Sequence, residues 1–203
     1  MADIDRAASL IRRLRPHTNR RLSVKLRTGP TDDFEYLVRF CRRLEEEGVD
    51  LITLHPRTAK EKFKRRARWD YVSALRKELR IPVAGNGDIA SAAEMLKRSE
   101  ECDAVMVGRL AVRRPWVFAE AKGILPAGAA PMGMAINIEE TGLRFLELLS
   151  RYQPPEFHIS RAKRFFSYFC DNLKWGNYVK NLLNRETTLA GIERAWRDYF
   201  AKL

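Results

Sequence analysis

Four short segments recur along this chain at intervals that fix what it can fold into. They are Ser23-Val24-Lys25-Leu26-Arg27, Leu51-Ile52-Thr53-Leu54-His55, Ile81-Pro82-Val83-Ala84-Gly85-Asn86-Gly87-Asp88 and Ala104-Val105-Met106-Val107-Gly108-Arg109. Each runs through apolar, often β-branched residues and ends on a polar residue or glycine. The steps Lys25 to His55, His55 to Asn86 and Asn86 to Arg109 are 30, 31 and 23 residues. Amphipathic stretches fill the gaps, which is the rhythm of β-α units in a parallel sheet. In such folds chemistry gathers at the C-terminal ends of the strands. Those ends carry Lys25, His55, Asn86, Asp88 and Arg109.

The intervening segments read as helices. Asp3 or Asp5 can cap a first helix whose apolar face is Ala7, Leu10, Ile11 and Leu14, stopped by Pro16. Asp32 and Asp33 open a second, with Phe34, Leu37, Val38, Cys41 and Leu44 at helical spacing and Gly48 at its end. Trp69, Tyr71, Val72 and Leu75 mark a third, and Ser91 caps a fourth over Ala92–Lys97. Residues 1–122 are therefore expected to form the β-α part. Residues 123–138, rich in Gly, Pro and Ala, read as a linker, and residues 139–203 as a helical domain. The core of that domain is expected from Leu143, Leu146, Leu149, Phe165, Phe166, Phe169, Leu173, Leu182, Leu183, Ile192, Trp196 and Phe200.

Four β-α units are half of an eight-stranded barrel, and an open four-stranded parallel sheet leaves two bare edges. The fold class is thus α/β, a partial TIM barrel followed by an all-α domain, with strands supplied by a preceding segment or by another chain.

The net charge of +12 points to a polyanionic partner, RNA, DNA or an acidic membrane. Most of it lies in residues 1–125, which hold +9 against +3 in residues 126–203. Cys41, Cys102 and Cys170 are odd in number and widely spaced, so they suggest no disulfide framework or metal pair and fit a cytoplasmic setting. The polar start does not read as a signal peptide, and no apolar run nears the ~18 residues of a membrane span.

At the strand ends, Asn86-Gly87-Asp88 and Gly108-Arg109 suit phosphate if these are the last two strands of eight. Glycine lets backbone N–H groups approach the oxygens, and arginine adds a bidentate charge. A tight turn is the plain alternative for Gly-Asn-Gly-Asp. Lys25, expected to be buried, would answer a ligand anion or else pair with Asp88 or Asp50. His55 is a wall residue or a ligand contact; neither His17 nor His158 stands at ligand spacing from it, so no metal site is expected.

Residues 57–68 set Arg57, Lys60, Lys62, Lys64, Arg65, Arg66 and Arg68 against Glu61 alone, with Phe63 and Trp69 interleaved. A charge run is commonly a solvated face; following a strand at the ligand end, this one favours a phosphate backbone. Arg161, Lys163 and Arg164 form a second basic cluster, for which an ordinary helix surface is an equal alternative.

Taken together, Val24-Lys25-Leu26-Arg27, Leu54-His55-Pro56-Arg57-Thr58, Ala67-Arg68-Trp69-Asp70, Pro82-Val83-Ala84-Gly85-Asn86-Gly87-Asp88-Ile89 and Val105-Met106-Val107-Gly108-Arg109 with Pro115-Trp116 resemble the tRNA-dihydrouridine synthases. The match runs in order over about residues 6–120, while residues 139–203 are similar only in being helical. The resemblance implies an FMN-bound TIM barrel that reduces uridine in tRNA to 5,6-dihydrouridine with NADPH. It implies Lys25 and His55 beside the flavin ring, and Asn86, Gly87, Asp88, Gly108 and Arg109 at the ribityl chain and phosphate. Arg57, Lys60, Lys64 and Arg65, with Arg161, Lys163 and Arg164, would touch tRNA near a flipped uridine. The family's Asn-x-Gly-Cys-Pro motif, whose cysteine protonates uracil, is absent here, and Arg68 and Arg65 stand where the family has an acid and a glycine. The chain alone is therefore expected to be inactive. A non-catalytic RNA-binding remnant remains the alternative; a dihydroorotate dehydrogenase-like flavin barrel fits the charge and the helical domain less well.

Overall fold

The computed structural model describes residues 3–62, 64–123 and 136–203; Phe63 and most of the expected linker lie outside the described residues. Two compact units emerge, Met1–Gly108 and Arg109–Leu203.

The first unit is a parallel sheet of β1 (Ser23–Arg27), β2 (Leu51–His55), β3 (Val83–Asn86) and β4 (Ala104–Met106), in that order. Register is fixed by pairs such as Lys25 with Thr53, Arg27 with His55, Leu54 with Gly85 and Asn86 with Met106. One sheet face carries Leu26, Ile52, Leu54 and Val83, all buried in the unit's core. They pack with Leu37, Cys41 and Leu44 of α2 (Phe34–Glu46) and Val72 and Leu75 of α3 (Trp69–Glu78). The opposite face carries Ser23, Lys25, Arg27, Thr53, His55, Asn86 and Met106. Strand residues alternate between faces with period two, so a polar, partly exposed row on one side and an apolar row on the other define which side the helices cover.

The helices start where short acceptors can satisfy their first N–H groups. Asp3 accepts from Arg6 N at the head of α1 (Ile4–Leu14), and Asp33 from Tyr36 N at the head of α2. At α4 (Ala92–Ser99) Ser91 accepts from Glu94 N while Glu94 accepts from Ala90 N at 2.9 Å, a reciprocal cap. In α1 the buried residues are Ala8 and Ile11, whereas Leu10 and Leu14 are 58% and 44% exposed, contrary to expectation. The helix packs mainly on α2, so the stripe Ile4, Ala7, Ala8, Ile11 faces inward and Leu10 and Leu14 lie to one side of it.

The second unit is all-helical: α5 (Arg109–Arg113), α6 (Val117–Ala121), α7 (Ile138–Tyr152), α8 (His158–Phe169), α9 (Gly176–Arg185) and α10 (Leu189–Phe200). Helices α5 and α6, expected with the β-α part, group here. Its core is Leu146, Phe165, Phe166, Phe169, Leu183, Ile192 and Trp196, as the helical spacing predicts. Phe145 stacks on Phe165 with centroids 3.7 Å apart, and Trp196 donates its indole N–H to Glu139 O at 3.0 Å. No described helix is long and apolar enough to cross a membrane.

Candidate functional site

The site is built at the C-terminal ends of β1, β2 and β3, where Lys25, His55 and Asn86 share one sheet face. A ring of internal contacts holds it. Arg57, two residues beyond β2, is 3% exposed and spends its guanidinium inside the protein. Its Nη2 donates to both carboxylate oxygens of Asp88 at 2.7 and 2.8 Å, its Nε to Arg65 O at 2.5 Å and its Nη1 to His55 Nε2 at 3.2 Å. Arginine can only donate, so Nε2 is the unprotonated nitrogen of His55 and the proton resides on Nδ1. Burial, then the cations Arg27, Lys25 and Arg57, hold His55 at about 4, neutral at physiological pH.

Asp88 also accepts from Ala67 N at 2.7 Å, and it holds a left-handed φ of 52°. Aspartate tolerates that conformation better than most residues. Gly87 before it has φ 124°, and a Cβ there would lie 2.9 Å from His55 Cδ2. Trp69 closes the turn from behind: its Nε1 donates to Gly87 O at 3.1 Å, and its ring lies so close to Gly85 that a Cβ there would sit 2.2 Å away. These two glycines are set by a positive φ and a close approach respectively.

Glu61, the lone acid of the basic run, organises the loop. It accepts from Thr58 N at 2.7 Å and from both terminal nitrogens of Arg68, while Thr58 Oγ1 accepts from Glu61 N. The Arg68 hydrogen bond, then that of Thr58 N, keeps the Glu61 carboxyl at about 2. Arg27 Nη1 donates to Thr58 O at 2.9 Å, and Arg68 also pairs with Asp32 at 3.0 Å. With the loop tied at both ends, Lys60, Lys62, Lys64, Arg65 and Arg66 are all exposed. The sequence carried a signal for Glu61, because Thr58-x-x-Glu61 has the spacing of a reciprocal cap.

Several expectations need correction. Lys25 is exposed rather than buried; it stands on β1, at the edge of the described sheet. It pairs with neither Asp88 nor Asp50: the first holds Arg57, and the second holds Arg15 at 2.8 Å. Partial desolvation, with a contribution from Arg27, still draws its ammonium below the ordinary lysine value. Arg57 is no surface contact, since its donors are committed to Asp88, Arg65 O and His55. Trp69 is buried and unavailable for stacking, and Phe63 lies outside the described residues. The Asp88 carboxylate is engaged by Arg57 and Ala67, and Asn86 Nδ2 donates to Met106 O at 2.7 Å, so both shape the strand ends from within. In the second unit Lys163 Nζ donates to Asn184 O at 2.7 Å near the C-terminus of α9. Arg161 bonds Gln153 and lies over the Phe157 ring, and Arg164 is exposed on the same helix. Arg109 opens α5.

A flavin mononucleotide asks for a cation near its ring and for close backbone donors at its phosphate. Lys25 makes no ion pair among the described residues. Gly108 has no left-handed φ, and a Cβ there would meet only Asn86 Nδ2, at 4.0 Å. Nothing among the described residues demands glycine at that position, and its exposed backbone suits a ligand's close approach. The residues present fit that part of the group. Among the described residues no cluster of His, Cys, Asp and Glu could hold a metal ion.

Comparison with known sequences settles the kinship. The model of the family described as "Dihydrouridine synthase (Dus)" matches residues 1–195. The chain belongs to the dihydrouridine synthase family. A "Probable tRNA-dihydrouridine synthase" of Aquifex aeolicus (strain VF5) is 39% identical over 104 residues, half of this chain and 32% of that protein. One of Mycobacterium leprae (strain TN) is 29% identical over 85% of this chain and 46% of its own length. A "tRNA-dihydrouridine synthase B" of Xanthomonas axonopodis pv. citri (strain 306) is 28% identical over all of this chain and 62% of its own. The chain thus spans about half the length of these dihydrouridine synthases.

Proposed function

We propose that this chain supplies the flavin-phosphate end and the RNA-facing loop of a cytoplasmic tRNA-dihydrouridine synthase, which reduces uridine in tRNA to 5,6-dihydrouridine at the expense of NADPH. The observation that carries this reading is the loop after β2. Glu61 and Asp88 hold it from within, and five cations are turned outward beside the strand ends that carry Lys25 and His55. An outward basic loop beside strand ends whose lysine makes no ion pair among the described residues suits a polyanionic substrate presented to a bound cofactor.

FMN, when bound, supplies the hydride. Lys25 and His55 would flank its ring. Gly87, Gly108 and Arg109 would take the ribityl and phosphate end, with Asn86 and Asp88 shaping that end. Lys25 contributes a fixed positive charge where negative charge develops during reduction. Neutral His55 is anchored at Nε2 by Arg57 and carries its proton on Nδ1. Lys60, Lys64 and Arg65 would contact tRNA phosphates, aided by Arg161 and Arg164; Lys163 would join them only by leaving Asn184 O.

The proton for uracil has no source among the three cysteines. All are buried, and burial pushes Cys41 and Cys170 up to about 12 and raises Cys102 too. In this reading the donor stands outside the three cysteines, on a further strand-bearing segment or chain that would pair with β1 or β4, the edge strands of the described sheet. Incubating the chain with unmodified tRNA, FMN and NADPH, then measuring dihydrouridine by mass spectrometry, is expected to give none. Product above background would overturn the assignment of the acid elsewhere. In a flavin fluorescence titration, Lys25→Met should weaken FMN binding. RNA binding with no detectable flavin binding would instead favour a non-catalytic RNA-binding remnant.

A further inference from the structure

We propose that the groove between α9 and α10 is a stacking site for an unpaired nucleotide of RNA, with Trp175 and Tyr178 as its ring faces. This rests on the RNA-binding reading above and adds a contact distinct from both the loop after β2 and the Arg161 and Arg164 cluster.

Trp175 and Tyr178 are 59% and 62% exposed, and both line a groove of about 470 Å³. They stand three residues apart at the start of α9, and side chains at that spacing are neighbours on a helix surface. They are not an overflow of the core: α9 buries Val179 and Leu183, together with Gly176. Two large rings left in water side by side mark a binding surface more often than chance. The groove volume is that of a small-ligand site.

The charges around the rings favour a nucleotide. Lys174 Nζ lies 5.6 Å from the Trp175 ring centroid, and Arg194 and Lys202 line the groove. None of these three cations forms an ion pair among the described residues, in contrast to Lys180, which is paired to Asp171. Aromatic faces with neighbouring cations are the recurring means of holding single-stranded nucleic acid, because every base has a π face and every linkage a phosphate. Glu186 and Asp198 also line the groove. Carboxylates repel phosphate but accept hydrogen bonds from base amino groups, so the base points inward and the backbone stays with the cations. The same two acids count against an anionic lipid surface.

The four tryptophans supply the test, since Trp69, Trp116 and Trp196 are buried and Trp175 alone is exposed. The full chain is titrated with a single-stranded hexaribonucleotide and with a blunt RNA duplex, reading tryptophan emission and, independently, anisotropy of labelled RNA. Saturable quenching by the single strand is expected. Trp175→Ala and Tyr178→Ala should each weaken its binding roughly tenfold and leave the duplex unchanged. Trp175→Phe should abolish the quenching yet keep the affinity within about threefold, because phenylalanine still stacks. Unchanged single-strand affinity in the double alanine variant, with circular dichroism showing native helix content, would overturn the proposal and leave the groove to a protein partner. Equal losses for single strand and duplex would overturn it too. If the double variant keeps its affinity while Lys60, Lys64 and Arg65 changed together to alanine lose it, the stacking site fails and the RNA reading stands. If the native chain binds neither oligonucleotide nor tRNA, the RNA reading itself fails.

Discussion

Replacing Arg57 with methionine keeps the aliphatic stem of a side chain that is almost wholly buried and deletes its guanidinium. Four hydrogen bonds go: two to Asp88, one to Arg65 O and one to His55 Nε2. Removing one partner of a buried ion pair costs about 3–5 kcal/mol, because the other charge is left without compensation. The Asp88 side chain is 30% exposed, so water rehydrates part of it and the loss falls to about 2–4 kcal/mol. With a urea m-value of about 2 kcal/mol per molar, the midpoint should drop by about 1–2 M. Urea denaturation of the intact chain measures this, and hydrogen exchange locates it. The Ala67 amide, donated to Asp88, should lose protection while amides of the second unit keep theirs. His55 should also titrate higher than about 4, since one of the cations that depress it has gone; imidazole NMR reads that directly. A loss under about 1 kcal/mol with unchanged His55 titration would refute the claim that Arg57 clasps the loop.

The His55 ring is lowered in the folded chain, so between about 4 and its unfolded value of about 6.5 the unfolded chain binds the extra proton. Stability should be complete above pH 6.5 and fall by about 1–3 kcal/mol as pH drops through that window, after allowing for solvent screening. Comparing urea midpoints at neutral and mildly acidic pH, His55→Gln should flatten that slope. Changing Lys60, Lys64 and Arg65 together to alanine should reduce the log–log salt dependence of tRNA binding by about 2–3 units, close to one for each phosphate that a removed cation had neutralised; a filter-binding series with an unchanged slope would place the RNA surface elsewhere. Gly87→Ala combines a disfavoured φ with contact on His55, and thermal unfolding should show a loss of about 1–3 kcal/mol.

Much of the first unit could be read from residue order. Valine, isoleucine and leucine in alternation fixed the strands, and Asp33 and Ser91 marked helix starts because their short oxygens have one local task. What sequence could not show depended on distant partners. Arg57 reads as one more cation in a basic run, and only folding brings Asp88, 31 positions away, under its guanidinium. Lys25 looks like a core lysine because strand centres are usually covered, and the coverage of that face is not encoded in its neighbours. The same holds for Leu10 and Leu14, whose spacing fits a helix face that packing on α2 does not use. In the second unit the helical period sufficed, because each apolar residue there needs only another helix.

The loop after β2 separates fastening from display. Thr58, Glu61 and Arg68 form one fastening across the loop and Arg57, Asp88 and Ala67 another, so the side chains of residues 60, 62, 64, 65 and 66 carry little of the fold's stability. Such positions can drift freely in charge and length. With the RNA-facing role proposed for it, the loop would let a lineage retune its partner by editing five side chains, without relearning how to fold.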